Sequence, residues 1–237
     1  MDVSLMSRVK DAVYLSMEHI HEEGFEALIL SGFSSTVATE MMRKAWMNLY
    51  PNQEMPPVHV IGHTGNELLY APLFERRLDA EEEEPFWMNA LNARKSPPKR
   101  ELTLEKRIPK VEGYMDEMHP EIMALRGRNV AYVDKFASSG FKYEGLSKIF
   151  PAIGFQEMKY VFFVSLESTP LGDDVSTTRD DEATKYLHVL VPSLKGWSNR
   201  IFSVPGTMEQ RKARVVADAW IEAKKMITYI GMPVQEP

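Results

Sequence analysis

Asp134, Ser138, Ser139 and Gly140 fall within seven consecutive residues, and together they could hold a phosphorylated sugar. The carboxylate of Asp134 can accept hydrogen bonds from ribose hydroxyls. A small turn such as Ser138-Ser139-Gly140, placed before a helix, aims backbone N–H groups at a phosphate, and the helix dipole adds a favourable potential. That chemistry needs a strand to deliver the acid and a helix to follow the turn. Val130 to Val133 read as a buried strand that ends at Asp134. Phe136 and Ala137 bridge to the turn. Leu146, Ile149 and Phe150 give the next helix an apolar face, and Pro151 stops it.

Outward along the chain, residues 3–23 place Val9, Val13, Leu15, Met17 and Ile20 among charged residues, the pattern of an amphipathic helix stopped by Gly24. Ala27 to Leu30 is a short apolar run that reads as a buried parallel strand. It ends in Ser31-Gly32-Phe33-Ser34-Ser35, and Val37, Ala38, Met41, Met42, Ala45, Trp46 and Leu49 mark a helix closed by Pro51. On these residues alone the Ser/Gly loop is a strand-to-helix turn with Ser34 or Ser35 as N-cap. Val58 to Ile61 is a further strand, followed by a small-residue loop with His63.

Residues 73–118 show no clean period. Glu81 to Glu84 lead into an aromatic patch, Phe86-Trp87-Met88, and a basic run from Arg94 to Lys110 comes after it. Long irregular stretches of this kind are lids, binding loops or linkers. Pro120 to Leu125 reads as a short helix, and Tyr160 to Val164 is the most strand-like run in the chain. Residues 168–184, with Asp173, Asp174, Asp180 and Asp181, read as a loop without the spacing of an EF-hand. Tyr186 to Val191 reads as a strand. A last helix opens at Thr207, with an apolar stripe of Val216, Trp220, Ala223, Ile227 and Ile230. Strands alternating with helices indicate an α/β protein with an open, mostly parallel sheet flanked by helices.

Composition bounds the chemistry. The chain of 237 residues is 44% hydrophobic, enough for a sizeable core in a single domain. It has no cysteine, which excludes disulfides and thiolate metal sites. His19 and His21, beside Glu18, Glu22 and Glu23, read as a solvated helix end, since residues two apart do not share a helix face. A net charge of −6 argues against coating nucleic acid by bulk electrostatics, so no nucleic-acid partner is expected. No apolar run approaches the roughly 20 residues that span a bilayer, and the first residues lack a secretory pattern. The expected location is cytoplasmic.

Val130 to Lys142 resembles the diphosphosugar-binding signature of the type I phosphoribosyltransferases. That signature runs four apolar residues, two acids, two apolar residues, two small hydroxyl residues, a glycine, any residue and a final hydroxyl residue. Val130 to Val133, Asp134, Phe136 with Ala137, and Ser138-Ser139-Gly140 match it in order. The helix after it, then Ile153-Gly154-Phe155, then Lys159 to Val164, is similar to the helix, glycine and next strand that succeed the signature in that family. Leu28 to Ser35 is similar to the family's pyrophosphate-holding strand and loop. Two positions depart: Lys135 stands where the second acid is usual, and Lys142 where the final hydroxyl is usual. The adjacent ammonium of Lys135 weakens the negative field that would favour a metal, and Lys142 adds positive charge beside the turn.

The resemblance implies a Rossmann-like phosphoribosyltransferase fold in one domain of residues 1–237. Its core would span about 25–168, with a small hood from 1–23 and 169–237 and a lid-like insertion at about 73–118. It implies a ligand, 5-phosphoribosyl diphosphate or a nucleoside monophosphate. The 5′-phosphate would lie on Ala137, Ser138, Ser139, Gly140, Phe141 and Lys142, and the ribose on Asp134 beside Lys135. The diphosphate would lie on the loop Ser31, Gly32, Phe33 and Ser34. Mg²⁺ would arrive on the diphosphate rather than on protein ligands. The implied reaction is displacement at the anomeric carbon by a nitrogen of a nucleobase or similar amine. No residue stands out as a general base. The alternatives are a non-catalytic regulator or nucleotide sensor of the same fold, and an α/β domain in which the turn is only a turn. A homodimer is compatible with the sequence.

Overall fold

Continuous apolar runs build the middle of the sheet, because parallel strands covered on both faces exclude water from every side chain. The computed structural model describes residues 3–31, 35–61, 104–138, 140–190 and 208–233. Five parallel strands pair in the order β2-β1-β3-β4-β5: β1 (Ala27–Ser31), β2 (Val58–Ile61), β3 (Val130–Ala137), β4 (Lys159–Ser165) and β5 (Val175–Arg179). The described helices are α1 (Val3–Glu22), α2 (Ser35–Leu49), α3 (Leu104–Met118), α4 (Pro120–Met123), α5 (Phe141–Ala152), α6 (Asp181–Leu190) and α7 (Met208–Ile230). This is the α/β architecture expected of the sequence, an open parallel sheet flanked by helices.

Two apolar layers sandwich the sheet. On one face α1, α2, α6 and α7 pack Val9, Val13, Met17, Met41, Leu187 and Ile230 against Leu28, Leu30, Val133 and Phe163. On the other, α3 and α5 pack Val111, Met115, Leu146 and Phe150 against Ile29, Tyr132, Tyr160 and Phe162. Phe163 and Val164 both join the first layer, although neighbours on a strand normally alternate. A register shift between β4 and β5 at Phe162/Val164 accounts for this, as a bulge does.

Several expectations are corrected. The strand read as ending at Asp134 continues through Ala137, with Phe136 and Ala137 paired to Val164 and Ser165. Asp134 therefore lies inside the central strand. Leu104–Met118, the end of the stretch read as irregular, is a helix with Val111 and Met115 fully buried. The acidic and aromatic runs before it, and His63, lie outside the described residues. Residues 168–184 are not all loop, since they hold β5 and the start of α6. β5 (Val-Ser-Thr-Thr-Arg) is β-branched but polar, and as an edge strand it is only half-buried. Trp220 and Leu15, placed on apolar stripes by spacing, are largely exposed, and Met226 takes a core position on α7 instead.

The run from Tyr186 is helix, not strand. Asp180 accepts a hydrogen bond from the Ala183 N–H through Oδ1 (2.9 Å) and so caps α6, while Asp181 and Glu182 favour its positive end. Ala183, Leu187 and Leu190 then share one buried face at helical spacing. Asp180 also pairs with Arg8 of α1 (Nε to Oδ2, 3.2 Å). Asp180→Ala should lower unfolding stability by about 1–2 kcal/mol in urea denaturation. An unchanged midpoint would show that the cap does not hold α6 in place.

Candidate functional site

In an open parallel sheet, ligands bind beyond the carboxyl ends of the strands, where successive connections leave in opposite directions. Here that crevice lies between β1 and β3, because the chain goes from β1 outward to β2 and then returns to β3. Ser31 and Asp134 are the residues next after the paired Leu30 and Val133, so the end of β1 meets Asp134 there, three residues before β3 ends. The Ser31 hydroxyl is buried and hydrogen-bonded to the hydroxyl of Tyr132 beneath it. Gly32, Phe33, Ser34 and Ser139 lie outside the described residues, as does the side chain of Phe141.

The carboxylate of Asp134 is almost wholly buried and carries two ammonium groups. Lys142, on the first turn of α5, bonds Oδ2; Lys135 Nζ lies 3.5 Å from Oδ1, which also accepts the Lys135 backbone N–H at 2.7 Å. Burial by itself raises the carboxyl pKa, but the Lys142 and Lys135 charges and their hydrogen bonds outweigh it and hold Asp134 below its ordinary value. Burial pushes Lys135 down to about 8, against the attraction of Asp134 and with the repulsion of Lys142. Among the described residues, two ammoniums thus face one carboxylate here, inside β3, when both lysines are protonated. The Lys135 ammonium also lies 5.6 Å from the centre of the Phe136 ring.

This arrangement does not fit a bound divalent cation. The acid already faces two positive charges, and among the described residues no three His, Asp or Glu side chains gather to hold a metal. Of the basic stretch before β3, Lys106 and Lys110 are exposed, while the Arg107 guanidinium is buried on α3 and its pKa is lowered by that burial.

Gly140 has φ +71°, a conformation that favours glycine, and as the N-cap of α5 it offers no capping side chain. The reason for a glycine here is the protein's own chain. A Cβ at Gly140 would lie 2.9 Å from the Pro170 carbonyl oxygen and 3.3 Å from Thr169 Cγ2. The β4–β5 connection, residues 166–174, runs alongside the turn: the Leu166 N–H donates to Ala137 O (3.1 Å) and Thr169 Oγ1 to Ser138 O (3.3 Å). Ser138 itself remains exposed. A larger side chain at Gly140 therefore reports on backbone strain whether or not a phosphate binds.

Sequence reasoning passed over Tyr132, Ser165 and this connection. Ser165 pairs with Ala137, is fully buried, and its hydroxyl has no hydrogen-bond partner among the described residues. Its only signal in the sequence is its place just after Tyr160 to Val164. Farther along, the hydroxyl of Tyr143 donates to Asp174 Oδ1 (2.5 Å) and tethers α5 to the same connection; burial first, then Asp174, raises this phenol to about 12.

No protein-family model matches this sequence, and no curated protein matches it either.

The depressed Lys135 pKa has a measurable consequence. Between about 8 and the ordinary 10.5, the unfolded chain binds more protons at Lys135 than the folded one, so folding stability gains from this group as pH rises through that window. The gain should be on the order of 1–3 kcal/mol and should be missing from Lys135→Met. Urea denaturation of both proteins from pH 7 to 10.5 checks it; parallel curves would contradict the assignment.

Proposed function

We propose that this protein binds a phosphorylated ribose, 5-phosphoribosyl diphosphate or a nucleoside monophosphate, at the β3–α5 turn and the β1–β3 crevice, as a relative of the type I phosphoribosyltransferases. The observation that carries the reading is the pairing of two ammoniums, Lys135 and Lys142, with one acid, Asp134, within β3 and beside the start of α5, where Gly140 offers no capping side chain. A dianionic phosphate suits such a place, because it meets an ammonium donor and the positive end of a helix together. Ser138 and the first turn of α5 would take the 5′-phosphate. The loop after β1 would take the diphosphate.

In catalysis, the phosphoribosyl group would pass to a nucleobase or similar amine while diphosphate leaves. The protein's part would be to hold both partners in line and to stabilise the positive centre that develops on the sugar. A specific observation favours the second use of the same fold, non-catalytic sensing of the ligand. Lys135 replaces the second acid and is itself buried against Asp134, so the acid pair that would hold ribose and draw a metal is not there. We therefore place ligand binding first and transfer second.

Isothermal titration with 5-phosphoribosyl diphosphate and with adenosine monophosphate, with and without Mg²⁺, tests this. Binding that weakens as salt is raised is expected. Release of diphosphate across a panel of nucleobases would establish the enzyme, and binding without release the sensor. The absence of binding to either ligand in all conditions would overturn both.

A further inference from the structure

Asp134 invites two opposite roles. A carboxylate that recognises ribose should be open to solvent and lightly partnered, but its side chain here is 3% exposed and both oxygens face lysines. Lys142 differs: its side chain is 35% exposed, and it rises from the first turn of α5 beside the exposed Ser138. The contact thus joins a buried, fixed acid to a cation that reaches the surface where a phosphate would arrive. Lys135, buried to the same depth as the acid, can stay with Asp134 when Lys142 turns away. A buried carboxylate can release one ammonium only if another charge remains beside it.

We infer that Asp134 is an internal anion that occupies Lys142 in the ligand-free protein, and that an incoming phosphate displaces it and takes Lys142 as its own partner. This inference rests on the phosphate reading above and adds to it a built-in competitor. Asp134 sets the affinity for phosphate from below the site instead of holding the sugar. Lys135, the departure from the acid pair, is then the residue that makes the exchange tolerable, by neutralising Asp134 after Lys142 leaves. The ligand class comes from the same geometry. A singly charged carboxylate would merely replace one acid by another, whereas a dianionic phosphate outcompetes Asp134 for the ammonium.

Asp134→Asn alone leaves two ammoniums without their acid and threatens folding. The test therefore compares Lys135→Met with the double variant Asp134→Asn/Lys135→Met, with circular dichroism to verify that both fold. The probes are inorganic phosphate and ribose 5-phosphate, titrated by calorimetry at pH 7.5. Removing the competitor should tighten both ligands by about tenfold or more, the scale of one charge-assisted hydrogen bond. Lys142→Met added to the double variant should abolish that gain. Unchanged phosphate affinity, or ribose 5-phosphate binding that weakens while phosphate does not, would overturn the inference and return Asp134 to the ribose. If the double variant does not fold, a second comparison decides. Lys142→Gln in the wild-type chain should lower phosphate affinity by about tenfold or more, and unchanged affinity would overturn the exchange. In the wild-type protein, binding of 5-phosphoribosyl diphosphate without the expected variant effects sinks the inference alone. Failure of every phosphate probe in every variant sinks the phosphate reading with it.

Discussion

A strand buried on both faces has no place for a lone charge, and β3 carries an acid and a lysine side by side within it. Desolvation penalises each, so each needs the other, and Asp134 needs Lys142 from α5 as well. That need ties the central strand to the helix that comes after it across the turn. Much of the site's geometry descends from the tie. The turn must be short, the helix must begin close to the strand end, and its first turn must face back over the sheet. The charges thus stand at the switch point of the sheet, where the topology already opens a crevice.

The β4–β5 connection adds a second constraint. It has room for no helix between Ser165 and Val175, so it crosses the sheet as bare chain past Ser138 and Gly140. The Leu166 N–H and the Thr169 hydroxyl need acceptors, and the Ala137 and Ser138 carbonyls supply them. The closeness of Pro170 requires the glycine. A residue type that reads as an adaptation to a ligand is here an adaptation to a neighbouring backbone.

Local pattern was enough for the elements whose side chains are apolar on every side or on one face. Ala27–Ser31, Val130–Val133 and Tyr160–Val164 are such runs, and hydrophobic burial makes them strands in any parallel sheet. The pattern misled where partners lie far away. Tyr186 to Leu190 is as apolar as a strand, but Asp180, capping the helix and meeting Arg8 from the other end of the chain, sets it as α6. β5 carries little apolar surface, and only its pairing with β4 makes it a strand.

The sequence by itself determined the α/β class, the strands β1 to β4, and the order of acid, small turn and helix at 134–142, because each rests on contacts a few residues apart or on burial that any sheet would supply. The tertiary structure alone decided what those residues face. Asp134 and Lys142 are eight residues apart, and the sequence allowed both to point at a ligand; the packing of α5 on the sheet points them at each other. The reason is electrostatic. Charges placed in a low-dielectric interior are settled by the nearest opposite charge, and which charge is nearest depends on how the elements pack.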